Sequence, residues 1–383
     1  MKLLINAGRL KSSGVCQVAR SFLKECISFP ENEYHIIISP PLKNELKEIP
    51  FPDNFHFYLF DKHPLYSLFS FTPFRVLKQY HALEKEINPD CVFSIFGPMW
   101  WKSHAPCVEG FASGQFLFTE SPLFARLPFS RKVKYKLLKC IFKSACRHET
   151  SWYILETETA RKRFCQYFHF PEDHVFVVTN TCSEQYLHFT TSEPHELPAK
   201  EDNEFRFFFP ADGIEHKNHI ILNEVIPLLS QKFPDRKITF VLTVNERFLQ
   251  SSLSEEAKKS ILNLGRIPAE RCPQIYSECD ALFYPTLLEC FSASYPESMQ
   301  MGKPILTSNL IFATDICRDA ALYFDPVNPA DIAEKIVRLV NDEELQNDLI
   351  QKGKKRLNDF LSARQRTEKY LEICRTISQN RKK

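Results

Sequence analysis

The sequence predicts an α/β protein built from two Rossmann-like domains, each with a parallel sheet. Short apolar runs alternate with helical segments, and this alternation occurs twice along the chain. Between the two series, Thr190 to Glu204 is polar, contains prolines and lacks periodicity, which is typical of an interdomain linker. A length of 383 residues is sufficient for two domains of ordinary size. We therefore predict domains at 1–195 and 196–360.

Twelve apolar runs of strand length define the predicted sheets, and most are followed by a helical segment. In the first domain they lie near 2–7, 34–39, 55–60, 91–96, 151–155 and 174–178; in the second, near 205–210, 238–243, 260–265, 281–285, 304–308 and 321–324. Residues 329–340 and 342–378 are predicted as terminal helices, the second broken near 357–362.

The composition is that of a globular protein and excludes several classes. The chain is 44% hydrophobic and 25% charged, and its net charge of +2 gives no overall attraction for nucleic acid. Thirteen cysteines without a CxxC pair argue against a disulfide framework and a structural zinc site. No signal peptide or membrane-spanning helix is predicted, because the longest apolar stretch is interrupted by Ser94, Gly97 and Pro98. We expect a reducing, cytoplasmic location.

Two carboxylates separated by seven residues are the strongest functional signal. Glu289 follows the predicted strand at 281–285, and Glu297 lies on the helix predicted from Ser294 to Met301. Open α/β sheets bind ligands at the carboxyl ends of their strands. Because a carboxylate accepts hydrogen bonds from neighbouring hydroxyls, the pair would suit a ligand with hydroxyls at two places, such as a sugar. The alternative is two solvated glutamates.

The residues from Glu289 onward, ECFSASYPESMQMGKP, resemble the donor-site motif of retaining glycosyltransferases of family 4. This resemblance implies the GT-B fold, in which two Rossmann-like domains face each other across a cleft. It also implies that Glu289 contacts the transferred sugar and Glu297 the ribose of the nucleotide. The family usually has glycine where this chain has Ser292. The same resemblance implies that residues 361–383 pack back on the first domain.

A second match opens the predicted second domain. Lys217 and Asn218 lie between the strand near 205–210 and a helix predicted from Ile220 to Gln231. They resemble the family loop that ends in Lys-Asn or Lys-Gly, in which the lysine neutralises the diphosphate leaving group. This implies that Lys217 is catalytic and that Asn218 binds the donor. The alternative is a solvated lysine in the first turn of the helix.

Two further loops resemble donor-binding segments of the family. Gly14 lies between the first strand and the first helix, where the family's glycine faces the donor diphosphate or the acceptor. Ile267 lies in Leu264 to Pro268, which resembles the loop that reads the nucleotide base. A simple tight turn is the alternative for Gly14. The absence of GxGxxG disfavours a dinucleotide oxidoreductase.

The resemblance also predicts how the leaving group is stabilised. Lys217 and the amides of Phe291, Ser292 and Ala293 would hold the phosphates. No Asp-x-Asp motif is present, so we predict transfer without a metal or other cofactor.

Two positions of the family pattern are not matched directly. The family's upstream arginine is replaced by Ala211 or Asp212. For the family's histidine in the first domain, the candidates on the acceptor side are His104 and Glu109; the alternative for His104 is a surface histidine.

The segment from Ser121 to His148 is basic and amphipathic. Its apolar residues recur at helical spacing, so one face is predicted to pack inward while the lysines face anionic lipid headgroups. The apolar residues are Val133, Leu137, Leu138, Ile141 and Phe142; the basic ones are Arg126, Arg131, Lys132, Lys134, Lys136, Lys139, Lys143 and Arg147. The hypothesis is peripheral contact with the inner face of the cell membrane and a lipid-linked oligosaccharide acceptor. The alternative is a solvated helix that covers the sheet.

Three functions from different classes fit these observations. The first is a glycosyltransferase that uses a nucleotide sugar to build a surface polysaccharide of the O-antigen or capsule type. The second is a nucleotide-sugar epimerase of the GT-B architecture, whose acid and base groups have no evident counterpart in this sequence. The third is a catalytically weak nucleotide-sugar binding protein, which the missing arginine and Ser292 favour.

Overall fold

A computed structural model describes residues 1–10, 13–60, 73–191 and 195–380. The chain divides into two compact units. Unit 1 contains Met1–Leu117, Pro128–Asn180 and Leu361–Lys383; unit 2 contains Phe118–Leu127 and Thr181–Phe360. Part of the predicted linker (192–194) and part of the loop before Gly14 (11–12) lie outside the described residues.

Unit 1 contains a parallel sheet of seven strands in the order β3-β2-β1-β4-β5-β6-β7. The strands are β1 Lys2–Ala7, β2 Glu33–Ile38, β3 Phe55–Leu59, β4 Cys91–Ser94, β5 Cys107–Gly110, β6 Trp152–Leu155 and β7 Val175–Val177. Among the described residues of this unit, the helices are α1 Ser13–Cys26, α2 Pro40–Glu45, α3 Pro73–Ile87, α4 Gly114–Leu117, α6 Phe129–Glu149, α7 Glu158–Phe168 and α17 Ala363–Asn380; α5, Pro122–Arg126, belongs to unit 2.

The terminal helix α17 completes the core of unit 1. Its apolar side, including Leu371 and Cys374, belongs to the same buried cluster as Leu3 and Ile5 of β1. The buried guanidinium of Arg366 donates a hydrogen bond to Ser21 Oγ at 2.8 Å. Burial of these side chains explains why the last segment of the chain folds with the first.

Unit 2 contains a parallel sheet of six strands in the order β10-β9-β8-β11-β12-β13. The strands are β8 Glu204–Phe209, β9 Lys237–Leu242, β10 Ile261–Asn263, β11 Ala281–Tyr284, β12 Ile305–Ser308 and β13 Ala321–Phe324. The helices are α5 Pro122–Arg126, α8 Glu184–Leu187, α9 Leu222–Lys232, α10 Glu246–Ser252, α11 Glu255–Lys258, α12 Cys272–Glu278, α13 Ser294–Gln300, α14 Ile311–Cys317, α15 Pro329–Asn341 and α16 Glu343–Leu357.

All twelve predicted strands are present within one or two residues of their expected positions, so the predicted α/β class with two parallel sheets is confirmed. The expected break in the last helical segment is also present, between α16 and α17. The strand β5 was not predicted, because it has only four residues and includes Glu109 and Gly110. A charged residue next to a glycine gives no strand pattern. No helix within the described ranges is long and apolar enough to span a bilayer.

Candidate donor site

The candidate site lies at the carboxyl ends of two neighbouring strands in unit 2. Strands β8 and β11 pair in parallel, so the loops that follow them emerge at the same edge of the sheet. Lys217 lies in a 3₁₀ turn, Glu215–Lys217, after β8. Glu289 lies in the irregular segment after β11. The sheet topology thus brings together two residues that are far apart in sequence.

Lys217 forms two short polar contacts at this edge. Its Nζ is 2.6 Å from Glu289 Oε1 and 2.6 Å from the Tyr284 hydroxyl. The side chains of Lys217 and Glu289 are only 14% and 12% exposed. Burial alone acts to lower the pKa of Lys217, but the neighbouring Glu289 and Tyr284 outweigh it and raise the pKa above its usual value. Lys217 is therefore a firmly protonated cation.

The structure corrects the predicted start of the helix that follows Lys217. The helix predicted from Ile220 begins at Leu222, and a second 3₁₀ turn, His219–Ile221, precedes it. Lys217 therefore lies outside the α-helix and is not in its first turn. The cation contacts a carboxylate and a phenol, so it is not the solvated lysine considered as the alternative.

Tyr284 and two hydroxyl residues extend the network around this pair. The Ser292 hydroxyl donates to the Tyr284 oxygen at 3.0 Å, and the Thr286 hydroxyl donates to Glu289 Oε1 at 2.8 Å. Tyr284 is 2% exposed and ends a buried strand. In the sequence, Tyr284 was predicted only as part of the strand at 281–285. A buried tyrosine usually finds a hydrogen-bond partner, and this rule could have identified it as a site residue.

Glu297 lies on α13, at the same end of the sheet. Burial raises the pKa of Glu297 to about 7, and a hydrogen bond with Tyr186 partly opposes this shift. Tyr186 comes from the short helix α8 and is 4% exposed. Glu297 is thus a carboxyl group in a poorly solvated setting, unlike the solvated helix residue considered as its alternative.

Both polar atoms of the Asn218 side-chain amide form hydrogen bonds that hold it in place. Its φ is +61°, in the left-handed region that asparagine tolerates. The side-chain nitrogen donates to Pro326 O at 2.9 Å, and Oδ1 accepts from Arg126 at 3.0 Å. Arg126 belongs to α5, which folds with unit 2 although it lies in the first half of the chain. No sequence pattern pointed to Arg126 as a neighbour of this loop.

The remaining predicted donor residues of unit 2 flank the network. Phe291 is partly exposed and packs edge-on against Phe360, and Ala293 precedes α13. Ile267 is partly exposed and lies two residues after Gly265, whose φ of +67° favours glycine. These positions are compatible with contact to a ligand, and their roles stay predictions.

The candidates in unit 1 occupy very different environments. Gly14 is exposed in the first turn of α1, and a Cβ atom added there would meet no neighbouring atom within 4 Å. His104 is also exposed, and its ring lies 5.1 Å from that of His81. Glu109 is 0% exposed, on the newly identified strand β5. Burial, and then the Glu149 carboxylate, raise the pKa of Glu109 well above its usual value.

The prediction for the basic segment is partly wrong. Phe142 of α6 faces inward, against Trp100 and Phe116 at 5.3 and 4.6 Å. Val133 and Leu137 face solvent instead and are 48% and 61% exposed. The buried residues of α6 are instead Phe142, Cys146 and Glu149, which lie on a different side of the helix from Val133 and Leu137.

One group of metal-ligand side chains occurs among the described residues, and it lies in unit 1. Glu33, His35 and His56 place one potential ligand atom each within 4.8 Å of the others. His35 Nε2 is 2.9 Å from Glu33 Oε1, and His35 and His56 are cross-strand partners of β2 and β3. Hydrogen bonding within the group accounts for this arrangement, and it involves none of the donor-site residues.

Comparisons with known proteins support the fold and the class. Residues 192–356 match the model of the family "Glycosyl transferases group 1". An O-antigen chain mannosyltransferase B from Escherichia coli is 30% identical over 80 residues, which is 21% of this chain and 21% of that protein. This relative is therefore matched over only about a fifth of its length.

Solved structures are similar over nearly the whole chain. A glycosyltransferase from Rickettsia africae superposes with a TM-score of 0.70 at 16% identity and covers 99% of both chains. Anabaena Alr3699/HepE in complex with UDP-glucose gives a TM-score of 0.69 at 13% identity, over 97% of this chain and 99% of that one. At these identities the likeness establishes the fold, which is GT-B.

The fold and the family match together support the class of glycosyltransferases. Residues 192–356 resemble the group 1 glycosyltransferases, and the chain as a whole has the GT-B fold.

Proposed function

We propose that the protein is a retaining, metal-independent glycosyltransferase that moves a sugar from a nucleotide sugar to a glycan acceptor. The observation that carries this proposal is the Lys217–Glu289 pair, 2.6 Å apart at the carboxyl edge of the second sheet, with Glu297 on the helix that follows. A cation and two carboxylates match the groups of such a donor, which has a diphosphate and two sets of sugar hydroxyls.

The diphosphate binds to Lys217 in this proposal. In the ligand-free protein the cation is paired with Glu289, so donor binding gives Lys217 a second anionic partner. Glu289 then becomes available to the hydroxyls of the transferred sugar. The amides of Phe291, Ser292 and Ala293 also face the phosphates, as the resemblance implies. The same exchange of partners stabilises the leaving diphosphate as the glycosidic bond breaks.

Arg126 replaces the arginine that the family supplies upstream of the lysine. Asp212, which stands near that position, pairs with Arg266 at 3.3 Å and adds no positive charge. Arg126 is exposed, and its guanidinium reaches Asn218, the residue next to Lys217. A guanidinium has five N–H donors, so one bond to Asn218 leaves donors for a phosphate oxygen.

The acceptor side rests on different observations. We propose a lipid-linked oligosaccharide as acceptor and a role in surface polysaccharide synthesis, at the cytoplasmic face of a membrane. The similarity to an O-antigen mannosyltransferase supports the class of product. The basic helix α6, which has no acidic residue before Glu149, supports proximity to anionic lipid.

Product analysis tests the reaction type. The protein is incubated with a panel of nucleotide sugars and lipid-linked acceptors, with and without EDTA, and the anomeric configuration of the product is read by NMR. We expect retained configuration and an unchanged rate in EDTA. Inverted configuration would overturn the retaining mechanism, and loss of activity in EDTA that Mg²⁺ restores would overturn metal independence. Conversion of the donor to an epimer would favour the epimerase alternative.

A further inference from the structure

Helix α6 presents an apolar row to solvent, which we name the α6 stripe: Phe129, Val133, Leu137 and Ile141. These side chains are 81%, 48%, 61% and 42% exposed, respectively. Their spacing of four residues places each about 40° around the helix from the last, so they form one continuous row about 18 Å long. Exposed apolar residues are normally scattered singly, so a row of four indicates a surface with a partner.

The side of α6 opposite the stripe is the one that packs against the rest of unit 1. Phe142 and Cys146 are 7% and 0% exposed, and Phe142 contacts Trp100 and Phe116. The helix therefore has a buried apolar side and a separate exposed apolar side. Packing within unit 1 explains why the side with Phe142 is apolar. It does not explain why the α6 stripe is apolar.

Cations flank the stripe along one side. Residues 136, 143 and 147 project next to it at 100° per residue, and Lys136 and Arg147 are exposed while Lys143 is half-buried. Lys139 has a different role, since its Nζ lies 4.2 Å from the centroid of the Tyr167 ring. The helix carries no acidic residue before Glu149, which is 7% exposed.

We propose that α6 lies in the surface of an anionic bilayer, with the α6 stripe inserted among the acyl chains and the flanking cations on lipid headgroups. An exposed apolar row beside a row of lysines is the arrangement by which amphipathic helices bind such surfaces. Because the exposed part of α6 carries cations and no acidic residue, it complements an anionic lipid surface better than a protein surface of mixed charge. This inference deepens the proposed function, because it identifies the surface that brings the transferase to a lipid-linked acceptor.

Vesicle sedimentation tests the inference with the full chain. The vesicles are phosphatidylcholine alone, or phosphatidylcholine with phosphatidylglycerol at roughly 2:1. Wild type is expected to bind the anionic vesicles, and Phe129→Ser with Leu137→Ser to lower the affinity at least about tenfold. The matched control is Ile311→Ser with Val327→Ser, since these side chains are 42% and 40% exposed elsewhere on the surface. This control is expected to bind like wild type.

A Leu137→Trp variant distinguishes insertion from simple charge attraction. We expect its fluorescence to shift to shorter wavelength with anionic vesicles and to be quenched by lipids with brominated acyl chains. Binding without that shift or quenching would overturn insertion. No binding to anionic vesicles at low salt, or a dimer that the two serine substitutions abolish without any vesicle binding, would overturn the membrane assignment.

The same variants separate this inference from the proposed function. Release of nucleoside diphosphate in the absence of vesicles is expected to be equal in wild type and in the stripe double variant. If release is normal and vesicle binding is absent, only the membrane inference fails. If vesicle binding is present and no nucleotide sugar is turned over, the proposed function fails and the membrane inference stands.

Discussion

The Nζ of Lys217 lies 2.6 Å from Glu289 Oε1, and both side chains are almost fully removed from solvent. Strands β8 and β11 hold the two residues at one edge of a parallel sheet. The cation assigned to the leaving group is therefore paired, before the donor arrives, with the carboxylate assigned to the sugar. In the proposed mechanism, donor binding gives Lys217 the diphosphate as a second anionic partner and makes Glu289 available to the sugar.

Removal of the cation should affect both folding and activity. We expect Lys217→Ala to lower the free energy of unfolding by about 3 kcal/mol or more, because it leaves Glu289 buried without its partner. We expect turnover to fall at least about a hundredfold, because the leaving diphosphate loses its cation. Chemical denaturation and nucleoside diphosphate release measure the two effects.

The double variant Lys217→Met, Glu289→Gln is the control for this prediction. It removes both charges together and should recover most of the lost stability, while activity stays low. Recovery of activity together with stability would mean that the pair has only a structural role.

Glu297 should make donor binding depend on pH. Its pKa of about 7 means that the carboxylate becomes protonated as the pH falls through that value, and the ribose hydroxyls lose an ionised acceptor. We expect the affinity for nucleoside diphosphate, measured by calorimetry, to decrease from pH 8 to pH 6. Glu297→Gln should bind more weakly at pH 8 and show a flat profile. A wild-type profile in this variant would exclude Glu297 as the titrating group.

The raised pKa of Glu297 also predicts that stability changes with pH in the opposite direction to donor affinity. The folded-state pKa lies above the ordinary value of 4.5, so the folded protein holds the proton more tightly than the unfolded chain. Between pH 4.5 and about 7 the unfolded chain loses this proton while the folded protein still holds it. The free energy of unfolding therefore falls as the pH rises through this range. We expect Glu297→Gln to be more stable than wild type at pH 8 and equal to it at pH 4. Equal stability at both values would contradict the assigned shift.

Arg126 should contribute to donor affinity. Loss of a charged hydrogen bond worth about 1.5 kcal/mol would weaken nucleoside diphosphate binding roughly tenfold in Arg126→Ala. Arg126→Lys should restore part of the affinity, because it keeps the charge. Arg338→Ala, an exposed arginine on α15, is the control. If Arg126→Ala lowers the melting temperature and leaves nucleotide affinity unchanged, Arg126 serves only to hold Asn218.

Gly213 should be needed to shape the loop that carries Lys217. A Cβ atom at this position would lie 2.4 Å from Cγ of Phe248, too close for any side chain. We expect Gly213→Ala to destabilise the fold by about 1–3 kcal/mol and to reduce donor binding. The added variant Phe248→Ala should relieve the clash, so the double mutant should lose less than the sum of the single effects. Strictly additive losses would show that the clash is absent.

The sequence predicted most of the fold because its strands are buried and apolar. Phe205, Phe207 and Phe209 in β8, for example, leave no ambiguity about a central strand. The strand β5 was missed because Glu109 looks like a surface residue. In the fold Glu109 is instead fully buried, and burial raises the pKa of its carboxyl well above the usual value.

The candidate site was predictable only where its residues fall within short motifs of the chain. Glu289 and Glu297 were identified from the resemblance of the segment that begins at Glu289 to the donor-site motif, and Lys217 from the resemblance of the loop after β8. The neighbours of the Lys217 loop depend on contacts across the fold. Tyr284, which contacts Lys217, belongs to β11, and Arg126, which contacts Asn218, comes from a segment in the first half of the chain. Such long-range neighbours leave no local pattern in a single sequence.

Release of nucleoside diphosphate from a panel of nucleotide sugars is the measurement that tests the central claim most directly. It is made with wild type, Lys217→Ala and Glu297→Ala, each checked for folding by circular dichroism. We predict release from at least one donor by wild type, stimulated by a glycan acceptor, and strong loss in both variants. Wild-type rates in both folded variants, or no release by wild type from any donor, would contradict the assignment of a nucleotide-sugar site to the Lys217–Glu289 edge.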